Sequence, residues 1–181
     1  MKASVWKWNR RMVAGTVIGA VMYGLTSWIG IPIVPDTDLR PAIALLAVFG
    51  AIFGPFSGLI AGFTGHVIND LIFASEVSWG WALASGITGA CMGLVYFVKD
   101  FDPEAGRIRK GHMLILLIFG VIGIFGALAF TGWFDIYVMK FPDEIAMTQV
   151  ISAGIANVFV FIVLGLPGVW AYGNRYKSAA F

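Results

Sequence analysis

Four stretches of about twenty residues contain no Asp, Glu, Lys, Arg or His: Met12 to Ile31, Gly80 to Val98, Met113 to Phe134 and Ile151 to Tyr172. A helix that faces water on one side carries charged residues along that face, and these runs have none. Each is long enough to cross the roughly 30 Å hydrocarbon core of a bilayer as a helix. Composition agrees, with 59% hydrophobic and 12% charged residues in a chain of 181. The expected fold class is therefore all-α, a compact bundle of transmembrane helices in one domain over residues 1–181. A net charge of +2 from scattered cations offers no clustered basic surface, which excludes nucleic acid as a partner. Membrane lipid is the surrounding medium.

The number of crossings turns on the segment Ala42 to Phe73, which is too long for one span and short for two, and is interrupted by Gly54-Pro55. One span there gives five in all and puts the basic loop Lys99 to Lys110 and the basic C-terminus outside, against the positive-inside rule. Two short spans, Ala42 to Phe53 and Phe56 to Phe73, give six, with both termini in the cytoplasm. Ten of the twelve cations then lie inside: Lys2, Lys7, Arg10, Arg11, Lys99, Arg107, Arg109, Lys110, Arg175 and Lys177, with Arg40 and Lys140 outside. Trp6, Trp8 and Trp170 fall at the inner boundary and Trp28, Trp79, Trp81 and Trp133 at the outer one, as aromatic belts do. The basic stretch Lys2 to Arg11 resembles the start of a signal peptide. The apolar run behind it ends in Ile-Pro without a small-residue cleavage site, so it reads as a retained first span.

Acidic residues concentrate on the expected outer side, at Asp36, Asp38, Glu76, Asp135, Asp143 and Glu144. The outer loops, Pro32 to Pro41, Ala74 to Trp79 and Asp135 to Val150, mix carboxylates with Arg40, Lys140, Gln149 and aromatics such as Tyr137, a set that can stack on and hydrogen-bond a planar polar solute. Within the third span, His66 and Asp70 stand at i and i+4 with Asn69 at i+3, on one helical face. Polar residues at that depth are costly, and they either pin a helix to its neighbours or face a cavity. Asn157 in the last span poses the same choice. Trp79 and Trp81, two residues apart, point different ways, so one of them is expected to anchor the interface. Arg40 either meets an anionic or carbonyl group or pairs with Asp36 or Asp38.

Small residues recur at helical spacing, as at Gly15/Gly19, Ala20/Gly24, Gly58/Gly62 and Gly89/Gly93, which lets helices approach closely. Two candidate ligands, His66 and Asp70, do not make a transition-metal site, and Cys91, the single cysteine, provides no thiolate cluster. No metal, permanent cofactor or catalytic residue is expected. The sequence contains no GxxxxGK[ST] phosphate loop, so the chain does not bind ATP in that way, and no HExxH or GxSxG motif.

Several blocks in order carry a family resemblance. They are the small-residue first helix, Phe53-Gly54-Pro55 through Gly65-His66-Val67-Ile68-Asn69-Asp70, Trp81 to Gly89 (Trp-x-Leu-Ala-Ser-Gly-Ile-Thr-Gly), and Ala153-Gly154-Ile155-Ala156-Asn157. Together they resemble the substrate-binding S components of energy-coupling factor (ECF) vitamin transporters, over nearly the whole chain. The resemblance implies a non-enzymatic subunit in the cytoplasmic membrane of a prokaryote that captures a vitamin outside and docks on a transmembrane coupling subunit with two ATPase subunits. It would deliver its ligand by toppling in the membrane. Docking is expected through the first helix, at Ala14, Gly15, Gly19 and Ala20, which stand where the family has an alanine-rich pattern. Ligand contacts are expected from Asp38, Arg40, His66, Asn69, Asp70, Trp79, Trp81, Tyr137 and Asn157. Cobalamin is the first-choice ligand, with riboflavin, a thiamine precursor or a queuosine precursor as alternatives. The rival reading is a self-sufficient proton-coupled carrier or channel in which His66 and Asp70 titrate. An intramembrane enzyme lacks an activated nucleophile to go with those residues.

Overall fold

The computed structural model describes residues 8–35 and 37–175, so the expectations placed on Lys2, Trp6, Lys7, Asp36 and Lys177 lie outside the described residues. Helix α1, Arg10–Thr26, is capped by Asn9, whose side-chain oxygen accepts from the Met12 N–H at 2.8 Å. Five residues before the expected end at Ile31, the chain leaves the helix. Ile31–Val34 (β1) and Thr37–Leu39 (β2) instead form a small antiparallel hairpin, with Ile31 opposite Leu39. The helix stops where the Ser27 hydroxyl donates back to the Tyr23 carbonyl at 2.6 Å.

Helices α2, Ile43–Phe53, and α3, Pro55–Phe73, meet at Gly54, whose φ of 94° an L side chain adopts only with strain. Pro55 then starts α3 at the position where a missing N–H costs nothing. Helix α4, Trp79–Gly93, tightens into a 3₁₀ turn at Leu94–Phe97, and α5 runs over Lys110–Tyr137. Helix α6, Asp143–Val160, passes through a π turn at Phe161–Gly165 into α7, Leu166–Asn174. Pro167 removes one ladder hydrogen bond just there, and the widened turn accommodates its ring.

Four helical stretches are long and apolar enough to cross a membrane: Pro55–Phe73, Trp79–Phe97, Lys110–Tyr137 and Asp143–Asn174. Helix α1 has 17 residues, and α2, with 11, rises about 16 Å, roughly half of a hydrocarbon core. Helices α3 and α4 meet by close backbone approach. A Cβ on Gly58 of α3 would lie 2.2 Å from the Gly89 carbonyl oxygen of α4, and one on Gly89 would lie 2.3 Å from that of Gly58. Only glycine permits this contact.

The stripe on α1 packs in the same way. Gly15 lies under the ring of Phe53 and Gly19 under that of Phe49, where a Cβ would sit 2.4 Å and 2.9 Å from ring carbons, and Ala20 is buried as well. Three of the four residues expected to dock a partner therefore serve packing within this chain, and of the four only Ala14 is exposed. The exposed face of α1 is larger and apolar, with Val13, Val17, Ile18 and Val21.

The two ends of the bundle differ in kind. At one, Arg11 at the start of α1 pairs with Glu104 of the α4–α5 loop, and Arg175 after α7 donates to the Pro103 carbonyl at 3.1 Å. The start of α1, the loop and the end of α7 thus share one end. At the other end the hairpin, the α3–α4 loop and the turn between α5 and α6 surround a cavity.

Candidate ligand-binding site

The cavity has a volume of about 1440 Å³, larger than the usual 300–1,000 Å³ of small-molecule sites, and is open to the surface. It is built from every helix except α7. Eight of the nine side chains expected to contact a ligand line it: Asp38, Arg40, His66, Asn69, Asp70, Trp79, Trp81 and Asn157. The ninth, Tyr137, does not. It is 62% exposed on the last turn of α5, where its ring neighbours that of Trp133 with centroids 6.4 Å apart, so helical phase turns it away from the cavity.

The i, i+4 face of α3 is buried against α1 and α4. His66 Nδ1 lies 2.8 Å from Ser85 Oγ, and that oxygen lies 3.1 Å from the Tyr23 hydroxyl, a chain of polar contacts across three helices. His66 Nε2 faces Asp70 Oδ2 at 3.7 Å, beyond hydrogen-bond length. The same carboxylate oxygen accepts from the backbone N–H of Ser78 at 2.8 Å, which ties the α3–α4 loop to α3. Asn69 donates weakly to Asp70 Oδ1 at 3.4 Å, and this orients its amide. Its oxygen, Oδ1, is buried without a partner although Asn69 is only 6% exposed.

On the opposite wall, the Trp81 indole N–H donates to Asp135 Oδ2 at 3.0 Å, joining α4 to the end of α5. Trp79 is 55% exposed at the rim, near Phe63, so the two tryptophans divide into a rim residue and an inner one, as their spacing implies. Arg40 lies 3.3 Å from Asp38 in the hairpin, the pairing alternative for this cation.

Sequence reading missed Tyr23, Ser85 and Asp135 as site residues. Ser85 stands four residues after Trp81, so helical spacing alone puts it on the same face. Asp135 looks like a loop residue because it follows an apolar run, yet α5 continues past it and Trp81 satisfies one of its oxygens. Tyr23 carries no sequence signal, since only the packing of both α1 and α4 on α3 brings it to Ser85. Among the described residues no group of His, Cys, Asp and Glu could hold a metal ion.

Long apolar helices, with an open cavity at one end of them, define a multi-pass membrane protein. The chain belongs to the ECF-type riboflavin transporter S component family, whose sequence profile matches residues 8–174. It is 33% identical over 162 residues to a UPF0397 protein of Aliivibrio fischeri (strain MJ11), an alignment covering 87% of each chain. No solved structure matches it significantly. The S component family is a transport family and not an enzyme family.

Proposed function

We propose that this chain is the vitamin-capturing S component of an ECF-type transporter, spanning the cytoplasmic membrane of a prokaryote six times with the cavity facing outward. The observation that carries the reading is where hydrogen-bonding capacity is left over. Among the described residues three buried side-chain polar atoms have no partner, and two of them, Thr37 Oγ1 and Asn69 Oδ1, belong to residues lining the cavity. Buried polar groups are rarely left unpaired unless something else meets them. A ligand between Trp81, Asn69 and Asn157 would do so, stacking on the indole and bonding to the amides.

A flavin-like vitamin is the ligand that best combines the family's name with this lining, and it replaces the cobalamin favoured by sequence resemblance alone. His66 gives cobalamin no support, because both ring nitrogens already face Ser85 and Asp70 and the residue is buried. Transport would need a transmembrane coupling subunit and two ATPase subunits, docked on the exposed apolar face of α1 around Ala14, Val17 and Ile18. The short α2 would be sheltered by its neighbours.

The test is to purify the chain after growth in rich medium and identify the bound molecule by absorbance and mass spectrometry. A flavin spectrum is expected, and a corrinoid spectrum restores cobalamin. Uptake into vesicles should require the coupling subunit and ATPases. Accumulation by the chain alone rejects the S-component reading in favour of a carrier working through His66 and Asp70.

A further inference from the structure

Resting on the reading of the cavity as a ligand site, we infer that it selects neutral or cationic ligands rich in N–H and O–H donors and rejects their phosphorylated, anionic forms. Four carboxylates line the cavity, those of Asp38, Asp70, Glu76 and Asp135, against Arg40 as its one Lys or Arg among the described residues. Arg40 already faces Asp38 at 3.3 Å. Even a protonated His66 would be matched by Asp70 at 3.7 Å. Glu76 and Asp135 remain with no cation opposite them.

Glu76 is exposed and screened by water, but Asp135 is only 7% exposed, and its partner among the described residues is the single N–H of Trp81. A second, independent observation points the same way. The Asn69 amide is oriented with its nitrogen toward Asp70, which leaves its oxygen, an acceptor, unpartnered. Meanwhile the Trp81 indole N–H is taken by Asp135, and Arg40 shares one nitrogen with Asp38 at 3.3 Å, so carboxylates of the same cavity draw on both of these donors.

A ligand N–H or O–H therefore finds Asn69 Oδ1 and Asp135 waiting, and the bond to a carboxylate is the stronger charge-assisted kind. A phosphate finds three carboxylates, Asp70, Glu76 and Asp135, beyond the one that Arg40 already faces, and a single guanidinium to offset them. Rejection of this sort is a specificity device, since the wrong ligand leaves acceptors facing acceptors.

The experiment is quenching of tryptophan fluorescence in the purified full chain by riboflavin, riboflavin 5′-phosphate and thiamine, a neutral, an anionic and a cationic probe. Riboflavin is expected to bind at least tenfold more tightly than its 5′-phosphate. Asn69→Leu, which removes the acceptor, should weaken riboflavin about tenfold. Asp135→Asn keeps an acceptor for Trp81 and removes the charge, so it should narrow the gap between the two flavins at least threefold. Variants are compared at matched helicity by circular dichroism. Equal or tighter binding of the phosphate overturns the inference, as does an Asp135→Asn variant with an unchanged gap. Thiamine binding with neither flavin bound upholds the inference and rejects the flavin reading. Binding of none of the three rejects both.

Discussion

The two ends of the bundle handle polar groups in opposite ways. At the end where α1 starts, charge meets charge within the chain: Arg11 pairs with Glu104, and Arg107 with Asp102 at 2.6 Å beside two backbone bonds that close the same loop. Arg175 spans the loop carbonyl of Pro103 and the face of the Tyr172 ring, 3.8 Å from its centroid. Phe101 plugs the loop from beneath, fully buried and edge-on to His112. At the cavity end, buried carboxylates and amides are only half satisfied. The closed end keeps one buried polar atom without a partner among the described residues, His112 Nδ1, packed against Phe101, whereas the two left over at the cavity end, Thr37 Oγ1 and Asn69 Oδ1, belong to residues that line an open space.

Between the ends, the glycine contacts of α3 and α4 carry both. Gly58→Val or Gly89→Val forces a side chain into a carbonyl 2.2 to 2.3 Å from the new Cβ, so the helices must separate. The expected cost is about 3 kcal/mol or more, the upper part of the range for overpacked cores. The readout is loss of a monodisperse peak and a lowered thermal midpoint in detergent, with both ends of the molecule failing together. A variant that folds normally would mean that the two helices do not approach as closely as described.

The cavity end should then respond where the other does not. Trp81→Phe keeps a ring and deletes the one N–H that meets Asp135, leaving a buried carboxylate unpaired. Ligand affinity is expected to fall about tenfold to thirtyfold, or about 1.4 to 2 kcal/mol, in a binding titration. Tyr137→Ala, at a ring turned away from the cavity, should leave affinity unchanged in the same assay. Ser85→Ala strands the Tyr23 hydroxyl and His66 Nδ1 together, and is expected to lower stability by about 1 to 2 kcal/mol in a denaturation series.

How much of this could be read from the chain depends on the range of the interaction. The apolar runs gave helices, and Gly54-Pro55 marked the break between α2 and α3, because both signals are local. His66, Asn69 and Asp70 were recognisable as one face by spacing alone. The ends of α2 and α3 fall within a residue of the expected ones, whereas the end of α1 and the start of α6 do not, since side chains decided them. Ser27 bonds back to the Tyr23 carbonyl at 2.6 Å where α1 stops, and Asp143 and Glu144 open α6 inside a stretch whose charges look like a loop. Acidic residues behind Pro142 are in fact favourable at a helix start. The Trp81 to Asp135 bond and the Tyr23 to Ser85 contact join residues 54 and 62 positions apart, and no periodicity reports such pairs. Nor does spacing say which side of a small-residue stripe is covered, which is why Gly15 and Gly19 looked available to a partner.

The smallest effect is expected at the self-closed end, and it sharpens the contrast because it should be nearly silent. Arg11 and Glu104 are 59% and 32% exposed at their side chains, so water already screens their attraction. Glu104→Gln is expected to cost less than about 1 kcal/mol, and less still in high salt. Ligand affinity should not move, since the Arg11–Glu104 pair sits at the far end of the bundle from the cavity. Thermal melts at low and high ionic strength, paired with the same binding titration, measure both quantities. If Glu104→Gln weakened the ligand as much as Trp81→Phe, the ends would be coupled through the glycine-packed helices, and the division between a closed end and a receptive one would have to be given up.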